Sequence, residues 1–320
     1  MESRHETLKA LVVYNQASGR SEQNADRLSV FQTEGSRLVE FSRQTCLKEV
    51  IQNAVNDGFE TVIAAGGDGT VNAVVNALMS VDAATRPAMA ILPLGTANDF
   101  ASTLGIALDI DIAISQLNPA NCIPIDVVRI SADGFERYYA NVAAGGNSVR
   151  VTEEMTAEMK TRWGAFCYLR GAIPVLADLQ SYHIELECDG EILEGQDSWA
   201  VLVANGRTNA GGIVVAPSAS PHDGLMDVIV IRNGTVLDIM AIVGNAILGD
   251  YLASEQVIHR QVKQLKLRSE PGMRFSLDGE VIDEEPVEFN LVPGAIRMFV
   301  GDTFMKTIAG DVSSELIGSN

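Results

Sequence analysis

Up to about residue 125, short apolar runs alternate with segments in which apolar positions recur every three or four residues. The apolar runs predict buried strands at 8–15, 36–42, 61–67 and 88–95. The helical spacing predicts helices at 46–58 and 70–79, and further helix-like stretches begin near Glu22 and at Asn98. This alternation is typical of a mostly parallel sheet with helices on both faces, so we predict an α/β domain over residues 1–126.

From about Asp126 onward, short strand-like runs follow one another closely. Pairs of such runs surround Asp133-Gly134 and Asp189-Gly190, and an Asp-Gly pair between strands signals a hairpin turn. Further strand-like runs lie at 198–206, 226–234, 262–269, 274–282 and 287–300, and helical patches lie at about 151–180 and 236–252. We therefore predict a second, mostly β domain over 127–300 that is similar to a β-sandwich.

Composition and charge narrow the function classes. The chain has 320 residues, with 23 Lys and Arg against 42 Asp and Glu and a formal net charge of −19. Phosphate contacts need Lys and Arg, so this balance argues against nucleic-acid binding and against docking on anionic lipid through charge alone. No apolar run approaches the ~18 residues that a membrane span needs. We expect no transmembrane segment and at most a visit to the membrane surface.

The cysteines indicate the compartment. Cys46, Cys122, Cys167 and Cys188 lie far apart and form no CxxC pair, which suggests neither a zinc site nor a disulfide framework. The N-terminus is polar and has no signal-peptide core. Reduced thiols in a cytoplasmic protein are the expected state.

The stretch GGDGT (66–70) follows one predicted strand and opens the next predicted helix. Successive glycines expose backbone N–H groups, and the helix start adds its positive end, so a phosphate can approach closely. The alternative is a tight turn that needs glycine for its dihedral angles. The dinucleotide fingerprint fails because Asn72 stands at its third glycine, and the Walker pattern fails because no glycine precedes a lysine. Carboxylate-held Mg²⁺ would then have to neutralise the phosphates.

A second loop, PLGTANDF (93–100), follows the next predicted strand. Gly95 and Thr96 can touch a phosphate, whereas Asn98 and Asp99 can cap a helix. Capping alone would explain the motif if it stood by itself. Two such loops on one sheet favour a ligand site.

Acidic residues in the second domain supply two more candidates. In SLDGEVIDEE (276–285), Asp278 and Glu280 are expected to point the same way as strand residues two apart, and could take a proton or orient Mg²⁺; the alternative is a plain Asp-Gly hairpin. In APSASPHDGLMDVIVI (216–231), Asp223, Gly224 and nearby carbonyls could hold a hard cation, and the alternative is a turn before a strand. His222 is expected to be a surface residue.

Together these motifs resemble the diacylglycerol kinase catalytic-domain family, and most closely its bacterial YegS-like lipid kinase branch. GGDGT, PLGTANDF, ANVAAGG, ANGRTNAGG, HDGLMDV and LDGE occur in the family's order, over about residues 8–305. Only GGDGT is also shared with ceramide, sphingosine and NAD kinases. The resemblance implies an N-terminal ATP-binding domain, a C-terminal β-sandwich, a cleft between them that holds the site, and a final segment (about 301–320) that returns to the first domain.

The resemblance also implies roles for single residues. The implied ATP contacts are Asn15, Gln16, Ala17, Ser18, Gly19, Gly66, Gly67, Asp68, Gly69, Thr70, Val71, Asn72 and Thr96, with a looser one near Ser42 or Thr45. The implied magnesium ligands are Asp223 and the carbonyls of Ser220 and Leu225, while Asp68 and Asp99 hold metal or water. Glu280 resembles the proton acceptor with Asp278 beside it, and Asp126 belongs to the charge network.

The expected activity is Mg²⁺-dependent transfer of the γ-phosphate of ATP to a lipid hydroxyl, in phospholipid metabolism. One departure is Ala73, where the family often has Glu, and we expect weaker nucleotide binding or a changed purine preference from it. A soluble NAD kinase and a catalytically inactive nucleotide- or lipid-binding protein are the alternatives. The sequence leaves open which lipid is used and whether the chain forms a homodimer. The apolar side chains within 155–180 could line a lipid pocket or pack an ordinary core.

Overall fold

The computed structural model describes residues 9–16, 27–32, 35–42, 44–153, 178–235, 238, 242, 251–278, 280–282, 285 and 288–317. The chain divides into two compact units. The first contains residues 1–125 and 296–320, and the second contains residues 126–295. The chain therefore re-enters the first unit at Ile296, whereas the sequence placed that return at about residue 301.

The first unit is built on a parallel sheet. Its strands are β1 (Ala10–Tyr14), β2 (Arg37–Glu40), β3 (Thr61–Gly66), β4 (Ala88–Pro93) and the last residues of β17 (Glu288–Phe299). Their order is β17-β4-β3-β1-β2, and each neighbouring pair is parallel. All residues of β3 are buried, as are the first four of β1, because strands covered on both faces read as continuous apolar runs. The predicted parallel sheet is confirmed.

Helices follow the strands of this unit. They are α1 (Leu47–Asn56), α2 (Asp68–Met79), α3 (Asp99–Thr103), α4 (Ile110–Ser115) and α6 (Asp302–Ile317). In α1 the predicted apolar face is the buried one, since Leu47, Ile51 and Ala54 are all inside. The helix predicted from about Glu22 lies partly outside the described residues, and its described end is the 3₁₀ turn Ser29–Phe31.

The second unit is antiparallel. Its elements are β5 (Cys122–Ala132, from Asp126), β6 (Phe135–Tyr139), β7 (Val142–Gly146), α5 (Asn147–Glu153), β8 (Tyr182–Cys188), β9 (Glu191–Ala204), β10 (Thr208–Asn209), β11 (Ile213–Val214), β12 (Met226–Arg232), β13 (Val257–Val262), β14 (Gln264–Glu270), β15 (Phe275–Leu277), β16 (Glu280–Ile282) and the start of β17. The long strand β9 pairs with β7, β8 and β12. Alternate residues of β9 enter two apolar cores: Val201 and Val203 join one, and Leu202 and Ala204 join the other.

Tight Asp-Gly turns form where the sequence predicts them. Ala132 pairs with Phe135 across Asp133-Gly134, and Cys188 pairs with Glu191 across Asp189-Gly190. Asp189 and Gly190 both have positive φ angles, 50° and 87°, as a two-residue hairpin loop requires. The predicted helical patches at 151–180 and 236–252 lie largely outside the described residues, so the side chains proposed for a lipid pocket do as well. Within the described residues, no helix is long and apolar enough to cross a membrane.

Candidate active-site residues in each unit

The carboxyl ends of the parallel strands bring the first unit's loops to one edge of the sheet. Tyr14 pairs with Ala65, and Gly66 pairs with Pro93, so the residues after β1, β3 and β4 emerge side by side. The strand order reverses between β1 and β3, and ligands of open α/β sheets bind at such a switch point. The predicted nucleotide residues Asn15 and Gly67 follow these two strands.

The two glycine loops touch each other directly. A Cβ added to Gly95 would lie 2.3 Å from the Cα of Gly67, and one added to Gly67 would lie 3.0 Å from the Cα of Gly95. The N–H of Leu94 also donates to the carbonyl of Gly66 at 3.0 Å. Both glycines are therefore required by the close approach of the two backbones. That the two loops bind a ligand together stays a prediction.

Asn98 connects within its own loop instead of capping the helix. Its φ is 54°, and its side chain both accepts from the N–H of Gly95 and donates to the carbonyl of Gly95, each at 2.9 Å. It makes no side-chain cap bond to α3, so the predicted capping role of Asn98 is wrong. The cap comes from the other loop, because the carboxylate of Asp68 accepts from the N–H of Phe100 at 3.2 Å.

Burial and backbone N–H donors shift the pKa of Asp68 in opposite directions. Burial raises the pKa of Asp68 above its ordinary value, while the backbone N–H groups of Phe100, Asp99, Asn98 and its own residue oppose that rise. Burial dominates, so the pKa is raised although the carboxylate faces a helix N-terminus. Asp99 is itself buried, in the first turn of α3.

The start of α2 has backbone N–H groups and a hydroxyl without side-chain partners in the described residues. Gly67 is its N-terminal cap residue and offers no side-chain bond to the helix, so the first backbone N–H groups are not capped by a side chain there. Gly69 is exposed, and a Cβ added to it would meet nothing within 4 Å. The buried Thr70 Oγ1 lies over Gly66 and has no hydrogen-bond partner among the described residues. Backbone N–H groups at the start of a helix, together with a hydroxyl such as that of Thr70, are donors of the kind that bind anions.

The remaining predicted nucleotide residues are spread over the same edge. Asn15 donates its N–H to the carbonyl of Ala65 at 3.2 Å, Gln16 follows it, and Thr96 is exposed. Val71 and Asn72 are buried in α2, where they belong to the helix itself. Ala17, Ser18 and Gly19 lie outside the described residues.

The looser nucleotide contact falls after β2. The hydroxyls of Ser42 and Thr45 lie 3.2 Å apart, and that of Thr45 donates to the carbonyl of Glu40 at 3.1 Å. Both hydroxyls therefore already have partners at the carboxyl end of that strand.

In the second unit, Asp278 lies in a turn and not on a strand. Leu277 pairs with Glu280, which leaves Asp278 as the first residue of a two-residue hairpin loop, with a φ of 47°. The prediction that Asp278 and Glu280 are strand residues two apart is therefore wrong. The carboxylate of Asp278 accepts from the N–H groups of Val142 at 2.9 Å and Ala140 at 3.4 Å. Glu280, by contrast, is exposed at the start of β16.

The loop with the predicted magnesium ligands is held by a buried carboxylate. Asp126, 3% exposed, accepts from the N–H of Gly224 at 2.8 Å and from that of Gly294 at 2.7 Å. The Asp126 N–H donates to the carbonyl of Pro221 at 2.8 Å. Asp126 thus fixes this loop on both sides of Asp223.

Asp223 is the titratable group of that loop. Partial burial raises the pKa of Asp223 to about 6, the N–H of Leu225 opposes the rise, and the negative charges of Asp227 and Asp126 add to it. The carboxylate accepts that N–H at 2.9 Å. The Ser220 carbonyl accepts from the N–H groups of His222 at 2.7 Å and Asp223 at 3.3 Å.

The chemistry of this donor set suits a hard cation. One carboxylate with other carboxylates nearby and a loop of carbonyls is the kind of set that Mg²⁺ uses together with water. Within the part of the chain that the structure describes, no three His, Cys, Asp or Glu side chains are grouped to hold a metal ion. Asp223 would thus be the one carboxylate ligand from its loop.

Sequence reasoning missed a buried cluster around Asp227. Asp227 is 1% exposed, and its carboxylate contacts the hydroxyl of Ser218 at 2.9 Å and Nε2 of His259 at 2.6 Å. Ser218 belongs to the Asp223 loop, so the cluster anchors that loop to β12 and β13. Asp227 stands in the quoted HDGLMDV motif, but no pattern in the sequence links it to His259.

Comparisons with known proteins agree with these features. Residues 9–130 match the family model described as the diacylglycerol kinase catalytic domain. Residues 140–300 match the model described as the YegS C-terminal NAD kinase beta sandwich-like domain.

Curated relatives span most of the chain. A protein of Bacillus subtilis named "Diacylglycerol kinase" is 29% identical, covering 88% of this chain and 92% of its own length. A protein of Stenotrophomonas maltophilia named "Probable lipid kinase YegS-like" is 33% identical, covering 78% of this chain and 81% of its own. Among solved structures, a diacylglycerol kinase from Bacillus anthracis superposes with a TM-score of 0.74 at 22% identity, over 92% of this chain and 98% of its own. That superposition shows a shared fold.

Proposed function

Since the chain belongs to the diacylglycerol kinase catalytic-domain family, in its YegS-like lipid kinase branch, we propose that it transfers the γ-phosphate of ATP to a lipid hydroxyl. Diacylglycerol and phosphatidylglycerol are the proposed acceptor types, and phospholipid metabolism is the proposed context. The observation that carries the proposal is the direct packing of Gly67 on Gly95, with the Asp68 carboxylate on the N-terminus of α3.

The first unit is proposed to bind ATP. The start of α2, with Gly67, Gly69 and the buried Thr70 hydroxyl, supplies N–H and O–H donors for the phosphates. The other proposed ATP contacts, some of them outside the described residues, are Asn15, Gln16, Ala17, Ser18, Gly19, Gly66, Asp68, Val71, Asn72 and Thr96. No lysine takes part in this loop, so phosphate charge must be neutralised otherwise.

The proposed magnesium ligands are Asp223 with the carbonyls of Ser220 and Leu225, and Asp68 and Asp99 are proposed to hold metal or water. When bound, Mg²⁺ supplies the positive charge that stabilises the transferring phosphoryl group. Asp126 holds the Asp223 loop through the N–H of Gly224. Because Asp126 is itself buried, this bond keeps the loop that carries Asp223 in a fixed place.

The proposed proton acceptor is Glu280. The lipid oxygen forms a bond to the γ-phosphorus, the bond from that phosphorus to the β–γ bridging oxygen breaks, ADP leaves, and the hydroxyl proton goes to Glu280. Asp278 is better placed to hold the turn, because both its carboxylate oxygens accept backbone N–H groups. Because the acceptor hydroxyl belongs to a lipid in a bilayer, we propose that the protein is cytoplasmic and associates transiently with the membrane surface.

The function is tested by incubating the full chain with γ-³²P-labelled ATP, Mg²⁺ and vesicles that contain diacylglycerol, phosphatidylglycerol or neither. Lipid-extractable label with at least one hydroxyl lipid is the expected result. NAD serves as a soluble acceptor in a parallel reaction. Label in NAD phosphate with none in any lipid would refute the lipid kinase in favour of a nucleotide kinase, and label in no acceptor would favour a binding protein.

A further inference from the structure

Asn205 joins two backbone segments of the second unit that are far apart in sequence. The side chain is fully buried, and its Nδ2 donates to the carbonyl of Asp126 at 2.9 Å and to that of Ala140 at 2.7 Å. A carboxamide nitrogen has two hydrogens, so these bonds use both donors and fix the orientation of the amide.

One of these bonds leads to the candidate cation loop. Asp126 donates its N–H to Pro221 at 2.8 Å and accepts the N–H of Gly224 at 2.8 Å. These residues flank Asp223 in the chain. A shift of the Asp126 backbone would therefore move the carboxylate of Asp223, which we propose as a magnesium ligand.

The other bond leads to the turn before the candidate proton acceptor. Ala140 donates its N–H to the carboxylate of Asp278 at 3.4 Å, and Val142 donates to the same carboxylate at 2.9 Å. The N–H of Asp278 returns a bond to the carbonyl of Val142 at 3.1 Å. Glu280 begins the strand that follows this turn. A continuous series of hydrogen bonds thus runs from the Asp223 loop through Asn205 to the Asp278 turn.

We propose that Asn205 is a positioning residue that holds the Asp223 loop and the Asp278 turn in one fixed geometry. It touches neither ATP nor lipid and acts through the carbonyls of Asp126 and Ala140. The inference rests on the proposed function for its kinetic consequence only. Groups that must act in concert lose much of their effect when they are displaced by as little as 1 Å. Asn205 should therefore control the rate of transfer and leave the affinity for ATP unchanged.

Asn147 provides a matched control at the other end of β7. It is also buried, and its Nδ2 donates to the carbonyls of Gln180 at 2.8 Å and Trp199 at 2.9 Å. Both asparagines thus bridge two backbone carbonyls beside the paired strands β7 and β9. The hydrogen bonds that the Asn147 side chain makes with Gln180, Trp199 and Arg150 lead to neither acidic segment.

The test compares Asn205→Asp with Asn147→Asp. Each substitution keeps the shape of the side chain but replaces the donating nitrogen by an oxygen that faces two carbonyl oxygens. Amide hydrogen exchange, measured without substrates, should rise at 222–226 and at Asp278 and Glu280–Ile282 in Asn205→Asp. In Asn147→Asp it should rise near Gln180 instead. Unchanged exchange at both acidic segments in Asn205→Asp would overturn the proposal.

The kinetic arm uses lipid phosphorylation. In Asn205→Asp we expect kcat to fall by about 100-fold with the KM for ATP within about twofold of wild type, because displacement acts on the chemical step. Asn147→Asp should retain the wild-type kcat; an equal fall in both variants would contradict the proposal. Should wild type lack lipid kinase activity, the exchange measurement still decides the positioning claim.

Asn205→Ala serves as a second variant because it removes both donors without adding an oxygen. It should show the same local rise in exchange as Asn205→Asp. Global unfolding of both Asn205 variants, with Asn147→Asp folded, would assign Asn205 to the core of the unit and overturn the proposal.

Discussion

The carboxylate of Asp68 accepts a hydrogen bond from the backbone N–H of Phe100, 32 residues further along the chain. Asp68 begins α2, and Phe100 lies in the first turn of α3. One side chain thus caps the helix that follows the other glycine loop. Because burial still raises the pKa of Asp68, its charge has a cost in folding that a purely structural cap would avoid.

We therefore predict that Asp68→Asn abolishes function without loss of stability. An amide oxygen can still accept the Phe100 N–H, whereas the negative charge disappears. A raised pKa means that the charged form is disfavoured in the folded chain, so removing the charge should leave the melting temperature equal or higher. Lipid phosphorylation should fall about 100-fold or more, as for loss of a preorganised charge. Thermal unfolding and labelled transfer measure the two effects, and wild-type turnover would contradict the role of Asp68.

Substitutions of two glycines, Gly95 and Gly69, separate the packing of the two loops from the approach of a phosphate to the backbone. Gly95→Ala places a Cβ 2.3 Å from the backbone of Gly67, so it should destabilise the fold by about 1–3 kcal/mol. Gly69→Ala meets nothing within 4 Å in the first turn of α2, and should raise stability by up to about 1 kcal/mol.

Gly69→Ala should nevertheless raise the KM for ATP, by about tenfold, if the phosphates approach the backbone at the start of α2. Denaturant unfolding and initial rates at varied ATP concentrations test the pair. An unchanged KM for ATP in Gly69→Ala would place the phosphates elsewhere.

The chain contains two matched turns, Cys188-Asp189-Gly190-Glu191 and Leu277-Asp278-Gly279-Glu280. Asp189 and Asp278 both have a positive φ, and each carboxylate accepts two backbone N–H groups. For Asp189 these donors are Lys263 and Gln264, at 3.0 and 2.8 Å. The two turns are therefore alike at their aspartates and differ in the segments that these aspartates hold.

Asp278→Asn should cost about 1 kcal/mol, because asparagine tolerates positive φ but accepts with one oxygen and Asp278 uses both. Asp189→Asn should cost less, because Oδ1 of Asp189 alone accepts both of its backbone N–H groups. Only Asp278→Asn should reduce kcat, by about tenfold or more, since it loosens the turn before Glu280. Chemical denaturation and kcat measured side by side test this. Equal kcat values in the two variants would remove Asp278 from the proposed site.

The raised pKa of Asp223 makes the stability of the folded chain depend on pH. It is raised from 3.8 to about 6, so between about pH 4 and 6 the folded chain binds more protons at this site than the unfolded chain. Stability should therefore fall as pH rises through that window and stay lowered above it, and solvent will screen the effect because Asp223 is exposed. In metal-free protein, Asp223→Asn should lack this component. Melting temperatures of both proteins from pH 4 to 8 test it, and identical profiles would contradict the raised pKa.

Much of the fold was readable from the sequence because the apolar patterns are strong. Most residues of the runs predicted at 61–67 and 88–95 are buried, as expected for strands that are covered on both faces of a sheet. The family and the two glycine loops were likewise predictable, because GGDGT and PLGTANDF are local in sequence.

The contacts between distant residues were not predictable. The sequence suggested that Asn98 caps its own helix, but close packing of Gly67 on Gly95 leaves Asn98 to hold Gly95 and gives the cap to Asp68. Asp278 was mistaken for a strand residue because a period-two pattern continues through a hairpin turn when the turn has two residues.

The most direct test of the central claim compares Glu280→Gln with Glu191→Gln, since both glutamates are exposed and follow matched Asp-Gly turns. Label transfer from ATP to lipid vesicles is measured in a single turnover. We predict that Glu280→Gln retains ATP binding but loses at least about 100-fold in the transfer rate, as expected when a general base is removed, whereas Glu191→Gln matches wild type. Equal transfer rates in the two variants would contradict the proposed phosphoryl transfer by this chain's acidic residues.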